Sequence, residues 1–151
     1  GPPMLPSAYN NNVQIFQTAD TVVILNEMVH NARIVPLDGR AHLTSSLRQW
    51  VGDSRGRWEG ETLIVETSNF LGDTGFVGSS SNMRLVERFT RTDAETLVYE
   101  FTLEDPKTWT SEWTAAVPMT KNELPLFEYA CHEGNYGMTN LLAGARVEEK
   151  K

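Results

Sequence analysis

The chain has 151 residues, a formal net charge of -7 at pH 7 and a sequence pI of about 4.9. Forty per cent hydrophobic against 22% charged residues is the composition of one ordinary folded domain and excludes wholesale disorder. The acidic balance argues against a nucleic-acid surface, which needs a basic stripe to displace counterions, and against an anionic membrane surface. No apolar run approaches the roughly 20 residues of a membrane helix. The single cysteine, Cys131, has no second cysteine to bridge to. The chain opens Gly1-Pro2-Pro3-Met4, with neither a charged n-region nor an apolar h-region, so no signal peptide is read and the opening suits a processed or trimmed chain.

In chain order, residues 1–12 are rich in Pro, Asn and Ser and are expected to be an extended lead-in. Residues 13–17 read as a short strand and 18–20 as a turn. Residues 21–29 read as a longer β-branched strand, with Val22, Ile24, Asn26 and Met28, extending to His30, on one face. Residues 32–36 form a third strand closed by Leu37-Asp38-Gly39-Arg40, whose Asp-Gly signals a turn. Residues 41–56 are polar and irregular. Residues 57–63 read as a tight hairpin with Glu59-Gly60 as its two central residues, feeding a strand over 62–68. A long glycine- and serine-rich loop follows over 70–83.

The strongest pattern lies over 86–117, read as three strands of one antiparallel meander. Leu97, Tyr99, Phe101 and Leu103 alternate with Thr96, Val98, Glu100 and Thr102, which predicts one face in a core and one in water. Thr92-Asp93-Ala94-Glu95 is the turn before this strand, and Asp105-Pro106 breaks the ladder after it. Trp109, Ser111, Trp113, Ala115 and Val117 then alternate as the third strand. Residues 126–131 read as one more strand, and 138–151 have helical composition. The expected organisation is a lead-in over 1–12, a β-domain over 13–137 and a C-terminal helix or tail over 138–151. The fold class is all-β: an antiparallel meander barrel or flattened barrel with a short C-terminal helix. A barrel of about eight strands is filled by its own side chains or holds one small ligand.

Gly52-Asp53-Ser54-Arg55-Gly56 matches the Gly-x-Ser-x-Gly nucleophile elbow, which works by lifting a serine above a parallel sheet. Here a hairpin follows and the chain has no βαβ pattern, so the segment is read as a glycine-bounded turn. The histidines, His30, His42 and His132, show no metal-ligand spacing, so neither metal nor cofactor is read. A composite site from His30, His132 and Glu27 or Glu133 stays open beside the reading of each histidine as a satisfied strand end. Cys131-His132-Glu133 sets a thiol beside a base, but neighbours on a strand point to opposite faces, and Cys131 is read as a core residue. Arg48, Arg55 and Arg57 with Trp50 and Trp58 suit either an anion or ring site or a structural plug of arginine laid over tryptophan.

Several blocks carry a resemblance: Gly1-Pro2-Pro3-Met4 with Tyr9-Asn10-Asn11-Asn12, Glu27-Met28-Val29-His30, residues 52–60, and residues 128–138. Together they resemble a family of uncharacterised exported bacterial proteins over nearly the whole chain. The resemblance implies that this region is the C-terminal part of a longer precursor with a secretion signal, hence a periplasmic or extracellular location. Separately, Gly56-Arg57-Trp58 resembles the Gly-x-Trp that opens lipocalin-like (calycin) barrels.

Three functions are compatible with these residues. The first is a binding module for a small apolar, aromatic or carbohydrate-like ligand, with Trp50, Trp58, Trp109, Trp113 and Tyr136 as walls. The second is a lyase, isomerase or hydrolase at the barrel mouth. There His30 or His132 would serve as base, Asp53 or Glu133 as its orienting partner, and Arg55 or Arg57 would stabilise negative charge. The third is a structural domain of a larger exported protein. Any site is expected between residues 52–58 and 132–136, with His30 reaching toward both. An open sheet edge or apolar patch predicts a homodimer, or association with an N-terminal portion of the precursor.

Overall fold

A computed structural model describes residues 2–7, 11–72, 76–127 and 136–149. Among them run eight strands: β1 (Val13–Gln17), β2 (Thr21–Asn26), β3 (Ala32–Pro36), β4 (Asp53–Glu59), β5 (Thr62–Ser68), β6 (Arg84–Arg91), β7 (Thr96–Glu104) and β8 (Trp113–Thr120). One helix, α1 (Gly137–Glu148), follows. The strands form two antiparallel sheets, β1-β2-β3 and β4-β5-β6-β7-β8, each a simple meander in chain order.

The central meander forms as its alternation predicts. Tyr99, Phe101 and Leu103 are 0–1% exposed, Leu97 is partly buried at the strand's start, and Glu100 and Thr102 lie on the other face. Elsewhere boundaries move. β2 stops at Asn26, and Met28–His30 is a 3₁₀ turn with Val29 at φ 61° and His30 at φ 40°. The backbone reverses there, with Asn26 N donating to Asn31 O, so Met28 and His30 do not continue the strand face. In the β4–β5 hairpin the last register pair is Glu59 with Thr62. Its central residues are therefore Gly60 and Glu61, with glycine taking the left-handed φ of 61°. β4 starts at Asp53, inside the stretch read as irregular. β8 starts only at Trp113, because residues 105–108 turn around the Asp105 side chain, which accepts from Lys107 N and Thr108 Oγ1. The strand expected over 126–131 lies largely outside the described residues, and Leu126 and Phe127 belong to no strand.

Both sheets feed one core. Val22, Ile24 and Val35 come from the first, and Leu63, Val65, Leu85, Phe89, Tyr99, Phe101 and Leu103 from the second. The sheets meet between β3 and β4, where a Cβ on Gly56 would sit 2.6 Å from Leu37 Cδ2 and 2.8 Å from Val35 Cγ1. Glycine here admits close approach of the neighbouring sheet rather than an unusual φ. The outer face of the larger sheet carries cross-strand ion pairs among Arg57, Glu59, Glu66, Arg84 and Arg88. These exposed pairs mark the solvated side and contribute little to stability.

Candidate functional site

β1 and β8 are the outermost strands of their sheets, and a cleft of about 930 Å³ opens between them. Alternation aims Val117 and Met119 of β8, Leu97 of β7, and Val13 and Ile15 of β1 into it, with Met4 from the N-terminal segment. Asn122 Nδ2 donates to Asn12 Oδ1 at 3.3 Å, bridging the two sides just beyond the end of β8 and before the start of β1. Polar groups stand among the lining: Asn26, Glu27, Arg91 and Lys121. Glu27 Oε2 accepts from the backbone and side-chain nitrogens of Asn12, which fixes that wall. Arg91 donates to the carbonyls of Asp93 and Ala94. Pro118, in the middle of β8, removes one amide from the free edge, a natural brake on edge-to-edge pairing.

A second constellation lies at the start of β4. Asp53 is 5% exposed, and its carboxylate accepts from Leu43 N at 2.9 Å and Arg55 Nη1 at 2.6 Å. His42 Nδ1 lies 3.0 Å from its Oδ2. A carboxylate can only accept, so Nδ1 carries the proton, and Nε2 has no hydrogen-bond partner among the described residues. Burial alone would raise the Asp53 pKa, but the Leu43 amide, His42 and Arg55 together hold it below the usual carboxylate range. Arg55 acts as a support, its Nε donating also to Ala41 O and its Nη1 to Ser54 O.

The structure thus joins Asp53 and Arg55 with His42, a histidine outside the expected set. His42 had no local spacing to distinguish it, since its partner lies 11 residues away across an irregular loop. Arg57 shares its face of β4 with Asp53 but pairs with Glu59 and Glu66 instead. His30 sits on the 3₁₀ turn after β2. His132 and Glu133 lie outside the described residues, so the site expected between residues 52–58 and 132–136 has one described side, and that side is strand rather than loop. Ser54 is buried with its Oγ 2.9 Å from Thr67 Oγ1, inside the sheet interface and unlike an exposed nucleophile.

None of the five expected aromatic walls is among the described residues lining the cleft. Trp109 and Trp113 meet edge-on at 5.8 Å, and Trp113 meets Phe101 edge-on at 5.7 Å, so these two extend the core. Trp58 borders a shallow hollow with Glu61 and Arg91, while Trp50 and Tyr136 stand exposed on the surface. The cleft lining went unnoticed because it belongs to the first and last strands, which come together only once the meander curls. No family model, curated protein or solved structure matches this chain.

Proposed function

We propose that this chain is a ligand-binding β-module whose two sheets wrap as a flattened, lipocalin-like open barrel. The cleft between β1 and β8 receives a small, elongated apolar or aromatic ligand. The observation that carries this reading is the cleft itself. At about 930 Å³ it falls in the range of small-molecule sites, with apolar side chains and a few fixed polar groups. The amides of Asn12 and Asn26 suit ligand hydroxyls, so a glycan with an apolar face fits the same chemistry. Export to the periplasm or cell exterior, taken from the family resemblance, agrees with a carrier or receptor role.

The test is titration with the apolar dye anilinonaphthalene sulfonate. Met119→Glu places a charge in the cleft and should abolish the fluorescence gain, whereas Ala116→Lys, on the exposed face of β8, should leave it intact. Dye binding that survives Met119→Glu would sink the reading.

The His42–Asp53 hydrogen bond favours a second reading, an acid–base enzyme. His42 would be the base and Asp53 the group that orients it, with Arg55 holding Asp53 rather than substrate. Turnover of p-nitrophenyl acetate by the chain, lost in a folded His42→Asn variant, would support it. No turnover above that variant would remove it.

A further inference from the structure

We propose that Pro3-Met4 is a built-in stand-in for the ligand at the inner end of the cleft, and that the molecule replacing it is an unbranched apolar chain ending in a hydrogen-bond donor, a primary amide or an alcohol. This rests on the cleft being the ligand site.

Of the buried core cluster, Met4 alone among the described residues also lines the cleft. It is 9% exposed and stands where the open volume stops and the packed interior begins. Behind it lies the buried Tyr99, whose Oη accepts from Met4 N at 3.1 Å. Yet residues 2–7 belong to no strand or helix, and Leu5, Pro6 and Ser7 stand exposed. Ser7 N donates to Asn11 Oδ1 and Asn11 Nδ2 to Ser7 O, which tethers the far end of the segment beside β1. A short segment outside every ladder opens locally at a far lower cost than the meander around it.

The direction of the hydrogen bonds sets what can replace Met4. Tyr99 Oη gives its proton to Glu87 Oε1 at 2.8 Å, and both Nη atoms of Arg33 grip the same carboxylate. Burial and the Glu87 carboxylate keep the Tyr99 hydroxyl protonated. Its remaining capacity is as an acceptor, which a backbone N–H fills here and an amide N–H or alcohol O–H fills equally well. A ligand carboxylate has no proton to offer. Turning the Tyr99 proton toward it would take that proton from Glu87 and set two carboxylates around one guanidinium in a dry core. The Met4 side chain supplies the second requirement, an unbranched apolar chain beside the donor. Leu97, Val117 and Met119 continue that apolar path outward. A ligand entering between β1 and β8 therefore meets apolar walls first and the Tyr99 acceptor last.

The test follows the methyl resonance of Met4 in methionine-labelled chain, assigned by its loss in Met4→Ala, during titration with octanamide, octanol and octanoate at neutral pH. Octanamide and octanol should carry it toward its position in the unfolded chain, and octanoate should leave it in place. Met4→Ala should bind octanamide about tenfold more tightly than the unmodified chain, since the competing side chain is gone. Tyr99→Phe should erase the preference for octanamide over octanoate. Octanoate that displaces Met4 as well as octanamide does overturns the proposal, and so does octanamide that binds without moving Met4. In the second case, binding lost in Met119→Glu keeps the ligand reading and drops only the stand-in. Octanamide that moves Met4 equally in a folded Met119→Glu variant keeps the Tyr99 subsite and overturns the wider cleft. No octanamide binding to the unmodified chain or to Met4→Ala also overturns the proposal, while dye binding sensitive to Met119→Glu would still keep the cleft as a ligand site.

Discussion

Arg33 on β3 and Glu87 on β6 form a two-pronged ion pair in the middle of the core, with Nη1–Oε2 at 2.5 Å and Nη2–Oε1 at 2.9 Å. The residues are 5% and 0% exposed, lie 54 positions apart and belong to different sheets. Tyr99 Oη donates to Glu87 Oε1 at 2.8 Å, so the carboxylate has three partners and neither charge is left unpaired. Burial alone would lower the Arg33 pKa, but the adjacent carboxylate raises it, so the guanidinium stays charged.

Removing one partner strands the other charge in a dry core. Glu87→Leu or Arg33→Met alone should therefore cost about 3–5 kcal/mol. Combining Arg33→Met with Glu87→Leu should cost less than the sum, because neither buried charge remains. Urea denaturation of the two singles and the double gives the coupling directly. Additive losses would mean the pair does not join the sheets as described.

The β3–β4 seam depends on the missing side chain at Gly56. Gly56→Ala would press a methyl against Val35 and Leu37 and should destabilise by about 1–3 kcal/mol. Gly60→Ala meets no described atom within 4 Å and carries only the strain of a left-handed φ, on the order of 1 kcal/mol. Thermal melts of the two variants should rank Gly60→Ala as the milder. Replacing Gly60 by Asn, which tolerates that φ, should recover most of its loss.

The sequence made the meander legible because period-two alternation records which face meets the core. Leu97, Tyr99, Phe101 and Leu103 carry that record without ambiguity. The interior ion pair was not legible: Arg33 and Glu87 sit at inward positions where the pattern leads one to expect apolar residues, and each makes sense only beside the other. The same holds for the site. Asp53 and Arg55 stood out by local density, yet His42 joins them only through the path of the loop. β2 was read too long because Met28 and Val29 suit a strand by composition, whereas the backbone turns at Glu27, the residue that holds Asn12.

Acid should loosen the molecule at two buried aspartates. Burial alone would raise the pKa of Asp53 and of Asp105. Both lie below the usual carboxylate range, Asp53 through Leu43, His42 and Arg55, and Asp105 through Ser80, Thr108 and Lys107. A depressed folded-state pKa means stability that is present above the unfolded value, about 3.9, and lost as pH falls through the folded one. Melting temperature should therefore drop on acidification below about pH 4. Asp53→Asn should be less stable at neutral pH and show a shallower acid limb. An unchanged limb in Asp53→Asn and in Asp105→Asn would assign the acid loss to other groups.

A hydrogen bond to Tyr99 Oη helps tie the N-terminal segment to the core, and that tie can be cut without removing a ring. Tyr99 Oη accepts from Met4 N at 3.1 Å while donating to Glu87, and Met4 itself is buried in the core cluster. Burial and the Glu87 carboxylate push the Tyr99 hydroxyl far above its ordinary pKa, so it stays protonated as a donor. Tyr99→Phe keeps the ring contacts with Phe89 and Phe101 at 5.1 and 5.6 Å, but leaves Met4 N–H and Glu87 each one partner short. The expected cost is about 1–3 kcal/mol. Its effect should be local as well as global. Pro3, Met4, Leu5 and Pro6 line the cleft, so freeing them should speed amide exchange at Met4 and alter dye binding there. Phe89→Leu serves as the comparison, since it removes packing and leaves the hydroxyl in place. If exchange at Met4 rises equally in both variants at matched stability, the hydroxyl is not what holds the segment, and apolar burial of Met4 alone keeps it in place.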